Sequence, residues 1–263
     1  RLSNTSTNNT LRGFRVPSPV HVHLLPKLFE PETLRGGIAV VIDILRATTT
    51  IVHALDAQAP CVIPCSEVEI ARAVAAELPP GTALLGGERH GEQIAGFDLG
   101  NSPLKYVPEV MAGKTLVFTT TNGTRALDRC RLADRVVIGA FVNRQAIINT
   151  LVADGRPVHL VCAGTDGYIT AEDVLFAGSI AQAVREQRAD QSIPDDETQL
   201  ALALWQSARH DQTQIRQILR DSRGGLNLLE LGFDHDIDRA ATCDMFDLVP
   251  EYDLSTNAIT AKA

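Results

Sequence analysis

The pattern that most constrains this chain is a series of short, uninterrupted apolar runs: His21 to Leu25, Ile38 to Ile44, Cys61 to Pro64, Ala83 to Gly86, Leu116 to Thr120, Arg135 to Gly139 and Val158 to Cys162. A strand wetted on one face alternates apolar and polar residues, so runs this continuous and this short belong to strands covered on both faces. Helix-like segments lie between them, at Thr49 to Ala57, Glu67 to Leu78, Thr124 to Arg131 and Asn143 to Ala153. Strand alternating with helix predicts an α/β fold, a three-layer α/β/α sandwich around a largely parallel sheet. Further helices, expected at about Ala171 to Gln187, Asp196 to Arg209 and Thr213 to Arg220, follow without a Pro/Gly/Ser linker. The last two are expected to cap or extend the sandwich as C-terminal helices. A single α/β domain over residues 16–263 is therefore predicted. Residues 1–15, rich in Ser, Thr and Asn, lack the apolar core of a secretory signal and are read as a flexible leader.

With 263 residues, 44% of them hydrophobic, the chain can bury a substantial core without metal or disulfide staples. Its formal net charge of -8 argues against binding nucleic acid, so any anionic ligand must be met by local cations or a metal ion. The five cysteines, an odd number partly within apolar runs, suit reduced thiols in a cytoplasm. No apolar run reaches the roughly 18 residues of a membrane span.

In an open α/β sheet, ligands bind beyond the carboxyl ends of the strands, which directs attention to the loops that follow them. The first such loop carries Asp43, Arg46 and the Thr48-Thr49 pair at a helix entrance. Asp43 is suited to hold a cation or attack phosphorus, and Arg46 with the hydroxyls to hold an anion. The plainer reading makes Thr48 a helix cap and Asp43–Arg46 an ion pair. A long Gly-rich loop brings Glu88, Arg89, Asp98, Asn101 and Ser102, with His90 a weaker candidate. The run Thr120-Thr121-Asn122-Gly123-Thr124-Arg125 again leads from strand to helix through hydroxyls and an arginine, although Thr runs are ordinary in strands and Asn-Gly in turns. Finally, Gly164 and Thr165 precede Glu172 and Asp173, which either complement a helix dipole or help to hold Mg²⁺.

Hydroxyl-rich helix entrances, loop arginines and scattered carboxylates suggest phosphate handled with a divalent metal. The familiar signatures for that task are absent: there is no Walker-type loop and no dinucleotide turn. Tyr168 stands six residues after Cys162, where a cysteine-dependent phosphatase needs arginine, and Leu45 replaces the second aspartate of a D-x-D motif. Four blocks nevertheless recur together: Asp43-Ile-Leu-Arg-Ala-Thr-Thr-Thr; Gly87-Glu-Arg with Gly96-Phe-Asp-Leu-Gly-Asn-Ser-Pro; Thr119-Thr-Thr-Asn-Gly-Thr-Arg; and Cys162-Ala-Gly-Thr with Ala171-Glu-Asp. In content, order and spacing, over roughly His21 to Tyr252, they resemble the 2-phosphosulfolactate phosphatase family.

The resemblance implies an Mg²⁺-dependent hydrolase that converts 2-phospho-3-sulfolactate to 3-sulfolactate and phosphate, a step associated with coenzyme M biosynthesis. On that reading the strand-end loops supply catalytic Asp43, Arg46, Glu88 and Arg89 and metal ligands among Asp43, Asp98, Glu172 and Asp173, with Asp43 open as nucleophile, base or ligand. Substrate contacts would come from Thr48, Thr49, Asn101, Ser102, Thr120 to Arg125, Gly164 and Thr165. The partner is then a small anionic phosphorylated substrate, with neither nucleic acid nor membrane, and a homodimer is compatible with the chain. A phosphatase for another small phosphorylated acid, a noncatalytic phosphometabolite receptor and an Mg²⁺-dependent lyase are the competing readings. The acidic residues weigh against a pure anion receptor.

Overall fold

The computed structural model describes residues 19–261, so the expected leader at 1–15 lies outside the described residues. In chain order the elements are β1 (Val20–His23), β2 (Ile38–Ile42), α1 (Ala47–Asp56), β3 (Val62–Pro64), α2 (Val68–Glu77), β4 (Ala83–Arg89), β5 (Glu92–Gln93), α3 (Pro108–Met111), β6 (Thr115–Thr119), α4 (Gly123–Arg129), β7 (Arg135–Gly139), α5 (Arg144–Asp154) and β8 (Val158–Cys162). Then follow α6 (Ala171–Gln187), α7 (Asp196–Ala208), α8 (Gln212–Asp221), α9 (Arg223–Glu230), α10 (Asp234–Ala240), β9 (Pro250–Asp253) and β10 (Ala258–Ala261). The fold is the expected mixed α/β architecture, with ten strands in the order β1-β8-β2-β7-β9-β10-β3-β6-β4-β5 and helices on both faces.

Two parallel groups make up the sheet. Strands β1, β8, β2 and β7 form one and β3, β6 and β4 the other, and the antiparallel hairpin β9–β10 joins them. The hairpin is absent from the sequence reading, because its strands are four residues each and broken by Glu251, Asp253 and Thr260, so they carry no continuous apolar signal. Three successive antiparallel pairings separate β7 from β3, so the two groups run in opposite directions along the ladder. In a flat sheet their carboxyl ends would lie on opposite edges. Instead, one apolar cluster unites Val41 of β2 and Ile138 of β7 with Leu116 and Phe118 of β6, around Ile51 of α1 and Leu127 of α4. The sheet therefore folds around these two helices, which brings the loops after β2 and β6 together.

The outer face of the first group is covered by the later helices, whose Phe176, Trp205, Leu219, Leu228 and Ile237 pack with Ile38, Val40 and Ile42. The all-buried strand β2 accounts for the unbroken apolar run in the sequence. It ends at Ile42, earlier than expected, because the Ile44 amide donates to Asp173 Oδ1 at 2.9 Å and leaves the ladder. Helix α1 begins at Ala47, two residues before the expected start, because Asp43 caps it: the Ala47 amide donates to Asp43 Oδ1 and the Thr48 amide to Asp43 O. All five cysteines are free thiols. Among the described residues, no helix is long and apolar enough to cross a membrane.

Histidines crowd the β1–β8 edge. His23 Nε2 lies 3.1 Å from His159 Nδ1, and His21 pairs with Asp195 at 2.7 Å. Burial and then the neighbouring histidines His159 and His21 push His23 down to about 4, while burial and His21 do the same to His159. Their folded-state values lie below the unfolded value of about 6.5, so the neutral rings contribute stability that is present above pH 6.5 and lost as pH falls toward 4. Thermal melts are expected to fall between pH 7 and pH 4.5, more shallowly in His23→Gln. Equal slopes for parent and variant would contradict this.

Candidate active site

The loops after β2, β4, β6 and β8 meet with the start of α9 around a solvent-open cavity of about 50 Å³, lined by Asp43, Arg46, Glu88, Asn101, Thr120, Thr121, Asn122, Thr165 and Asp166 among others. Asp43 stands at the carboxyl end of a fully buried strand and is itself only 7% exposed. Thr48 Oγ1 donates to Asp43 O at 2.9 Å, so the carboxylate is carried on a rigid hydrogen-bonded turn. A Cβ on Gly123 would come within 3.0 Å of Asp43 Oδ2, which explains glycine at the head of α4: it lets this loop close over the carboxylate.

Glu88 ties two walls together, accepting from Thr121 N at 2.8 Å and Gly91 N at 2.7 Å. Asp173 does the same behind Asp43, accepting from Ile44 N and Gly164 N, both at 2.9 Å. Glu172 is buried beside them, with Oε2 lacking a hydrogen-bond partner among the described residues and Oε1 2.4 Å from where a Gly224 Cβ would stand. Burial first, then Asp173 and Glu88, drives the Asp43 carboxyl well above the usual range against the Ala47 amide and Arg46. Burial and Glu172 likewise raise Asp173, and burial with Asp43 raises Glu172.

The carboxylates interact electrostatically, yet among the described residues no group of three or more His, Cys, Asp or Glu converges as a ready-made metal cage. Mg²⁺ usually binds through one or two carboxylates and keeps several waters, and Asp43 and Glu88 are carboxylates that line the cavity. The donor set also fits. Besides Asp43 and Glu88, the cavity presents Asn101 and Thr121, whose side-chain oxygens Oδ1 and Oγ1 have no hydrogen-bond partner among the described residues. Asp98 is not part of this group: it is exposed in its loop, where Oδ2 accepts from Leu85 N at 2.8 Å. Asp173, like Glu88, has both oxygens on backbone amides, but it lies behind Asp43 and outside the cavity lining, so it braces the turn that holds Asp43.

The arginines are placed differently from the expectation that they share the substrate's charge. Arg46 borders the cavity but is buried, with Nη1 on Asp236 and Nη2 on Gly91 O, both at 2.7 Å. Arg89 is turned to Glu88 O, Ser66 O and Thr119 Oγ1. Arg125 is exposed on the outer side of α4 and does not line the cavity. The Arg125→Ala enzyme is accordingly expected to keep turnover within about twofold of the parent, the usual neutrality of a surface change; a tenfold loss in a steady-state assay would show that the site extends to it.

Several hydroxyls expected at the ligand are likewise spent on structure. Thr48 and Thr49 bond Asp43 O and Ile44 O, and Ser102 donates to Asp236 Oδ1 at 2.7 Å. Thr124 reaches Cys65 O, away from the cavity. Gly164 has φ +65, and a Cβ there would strike Tyr168 O at 2.3 Å; it shapes the loop that presents Thr165. Thr120, Thr121, Asn122, Asn101 and Thr165 do line the cavity.

Sequence reasoning missed Gly91, Asp166, Gly224, Asn227 and Leu228, which also line it. The last three lie on α9, whose Ser222 cap accepts from Gly225 N at 3.0 Å. The Ser-x-Gly-Gly start at Ser222 was the available signal.

Comparison with known proteins agrees with this arrangement. The family model described as 2-phosphosulpholactate phosphatase matches residues 23–254. Similar proteins, each named as a probable 2-phosphosulfolactate phosphatase, include one from Parasynechococcus marenigrum, 43% identical over 223 residues (84% of this chain, 90% of the relative). One from Caldanaerobacter subterraneus subsp. tengcongensis is 41% identical over 218 residues (83% and 88%), and one from Synechocystis is 37% identical over 243 residues (92% and 99%). A match of this extent, together with the convergence of the four sequence blocks around one cavity, shows that the chain belongs to the 2-phosphosulpholactate phosphatase family.

Proposed function

We propose that the chain is a cytoplasmic, Mg²⁺-dependent phosphatase that hydrolyses 2-phospho-3-sulfolactate to 3-sulfolactate and inorganic phosphate. The observation that carries this reading is the meeting of Asp43, Glu88 and the Thr120-Thr121-Asn122 loop in one cavity. An acidic cavity whose interior arginine is already paired would repel a phosphorylated acid unless a cation were bound with it. Asp43 and Glu88 are the residues that would hold Mg²⁺, and the bound ion would neutralise charge between these carboxylates and the phosphoryl oxygens.

The chain's own groups then do the positioning. Thr120 and Thr121 present hydroxyl donors to the phosphoryl oxygens, and Asn101 offers its amide beside them. Asp43, fixed by the Ala47 amide and the Thr48 hydroxyl, is the carboxylate nearest the reacting phosphorus. Its rigid mounting supplies the orientation on which phosphoryl transfer depends. The Arg46–Asp236–Ser102 chain locks the loop carrying Asn101 against the turn carrying Asp43.

The test is phosphate release from a panel of small phosphorylated acids, with Mg²⁺ and with excess chelator. The sulfonated acid is expected to be the best substrate, with activity lost to chelator and restored by Mg²⁺. Release indifferent to chelator would sink the metal-assisted reading, and a strong preference for another phosphorylated acid would sink the substrate assignment.

A further inference from the structure

The substrate class proposed above carries strong negative charge beyond its phosphate, yet Arg46, the one arginine within the cavity lining among the described residues, is engaged by Asp236 and Gly91 O. The cations that remain stand at the rim. Arg223, the first residue of α9, precedes Gly224, which lines the cavity. Its guanidinium carbon lies 4.2 Å from the ring centroid of Tyr168. Tyr168 is tied by paired backbone hydrogen bonds, both 3.0 Å, to Thr165, which lines the opposite wall. The Arg223–Tyr168 contact thus joins the loop after β8 to α9 beside the cavity, next to the lining residues Thr165, Asp166 and Gly224.

Among the described residues neither Arg223 nor Lys27 forms an ion pair. Lys27 joins the same rim, its Nζ 3.7 Å from where a Cβ on Gly167 would stand, one residue from the lining Asp166. A guanidinium held over an aromatic ring is a cation fixed in place without an anionic partner, and its N–H fork matches the oxygens of an oxyanion.

We infer that Arg223, seated on Tyr168 and assisted by Lys27, forms an outer anion subsite that binds the sulfonate of the substrate and selects sulfonated over unsulfonated phosphoacids. This rests on the proposed function and adds the group that discriminates among its substrates. Only the non-phosphoryl end of the substrate is concerned, so the contact is expected to act on binding more than on the chemical step.

The experiment measures kcat and KM with Mg²⁺ for 2-phospho-3-sulfolactate and for 2-phospholactate, in the parent, Arg223→Ala, Tyr168→Ala and Lys27→Ala. Arg223→Ala is expected to lower the ratio of kcat/KM values, sulfonated over unsulfonated, by about tenfold or more, the size of a lost charge-assisted contact. The loss should fall chiefly in KM. Tyr168→Ala and Lys27→Ala are expected to move the ratio the same way by about threefold, as partial losses of the same site. All three residues are exposed, so melting temperatures close to the parent's should accompany these changes.

An unchanged ratio in Arg223→Ala, whether both substrates suffer equally or neither does, overturns the inference while leaving the proposed function standing. A parent enzyme that hydrolyses 2-phospholactate but not the sulfonated acid overturns the proposed function, and the subsite with it.

Discussion

Replacing Asp43 by Asn is expected to cost at least about a hundredfold in turnover, the scale of a lost positioned catalytic group, while the fold survives. Asn keeps the shape that accepts from the Ala47 amide, so the cap of α1 is retained. It also removes a charge from a buried group whose neighbours Asp173 and Glu88 oppose its ionisation. The variant should therefore melt no lower than the parent at neutral pH. A raised folded-state value means that ionised Asp43 costs stability at neutral pH and that the cost is relieved on acidification, so the advantage of Asn should shrink as pH falls. Metal titration of the same variant separates two roles: weakened Mg²⁺ binding marks a ligand, and intact binding with lost turnover marks a nucleophile or base. A folded variant nearly as active as the parent would move the chemistry away from the β2–α1 turn.

The second large effect is expected from Asp236→Ala. Arg46 and Asp236 pair at 2.7 Å with both side chains 2% exposed, and the guanidinium also lies 4.4 Å from the Phe233 ring centroid. Removing the carboxylate leaves a buried cation uncompensated, which typically costs about 3–5 kcal/mol. At about 2–4 °C per kcal/mol for a chain of this size, melting should drop by roughly 6–20 °C. Activity should fall as well, since Ser102 loses its acceptor and the Asn101 loop its tether. Changing both partners to apolar residues of similar volume, Arg46→Met with Asp236→Leu, should recover much of the stability but not the turnover. Recovery of both would show the pair to be replaceable packing rather than the lock on the active-site loops.

The local pattern of Ile38 to Ile42, Arg135 to Gly139 and Val158 to Cys162 was legible because burial on both faces of a parallel strand leaves an unbroken apolar run, whatever the rest of the chain does. Asp43 was legible for a related reason: a carboxylate ending such a run requires strong partners. Which arginine faces the ligand was not legible. Arg46, Arg89 and Arg125 all sit beside hydroxyls in sequence, but their fates depend on Asp236, on backbone carbonyls brought from distant loops, and on the side of α4 that faces water. Likewise Asp98 in its loop and Glu172 at a helix start were both candidate metal carboxylates, and only packing exposes the first and buries the second. The antiparallel bridge of β9–β10 and the approach of α9 to the cavity are contacts across more than a hundred residues of chain. Residue type and spacing determined the buried parallel strands, the turn that mounts Asp43 and the family of the chain. The folding of the sheet around α1 and α4 decided which of the many polar side chains share a cavity, because proximity there is created by long-range closure and not by local preference.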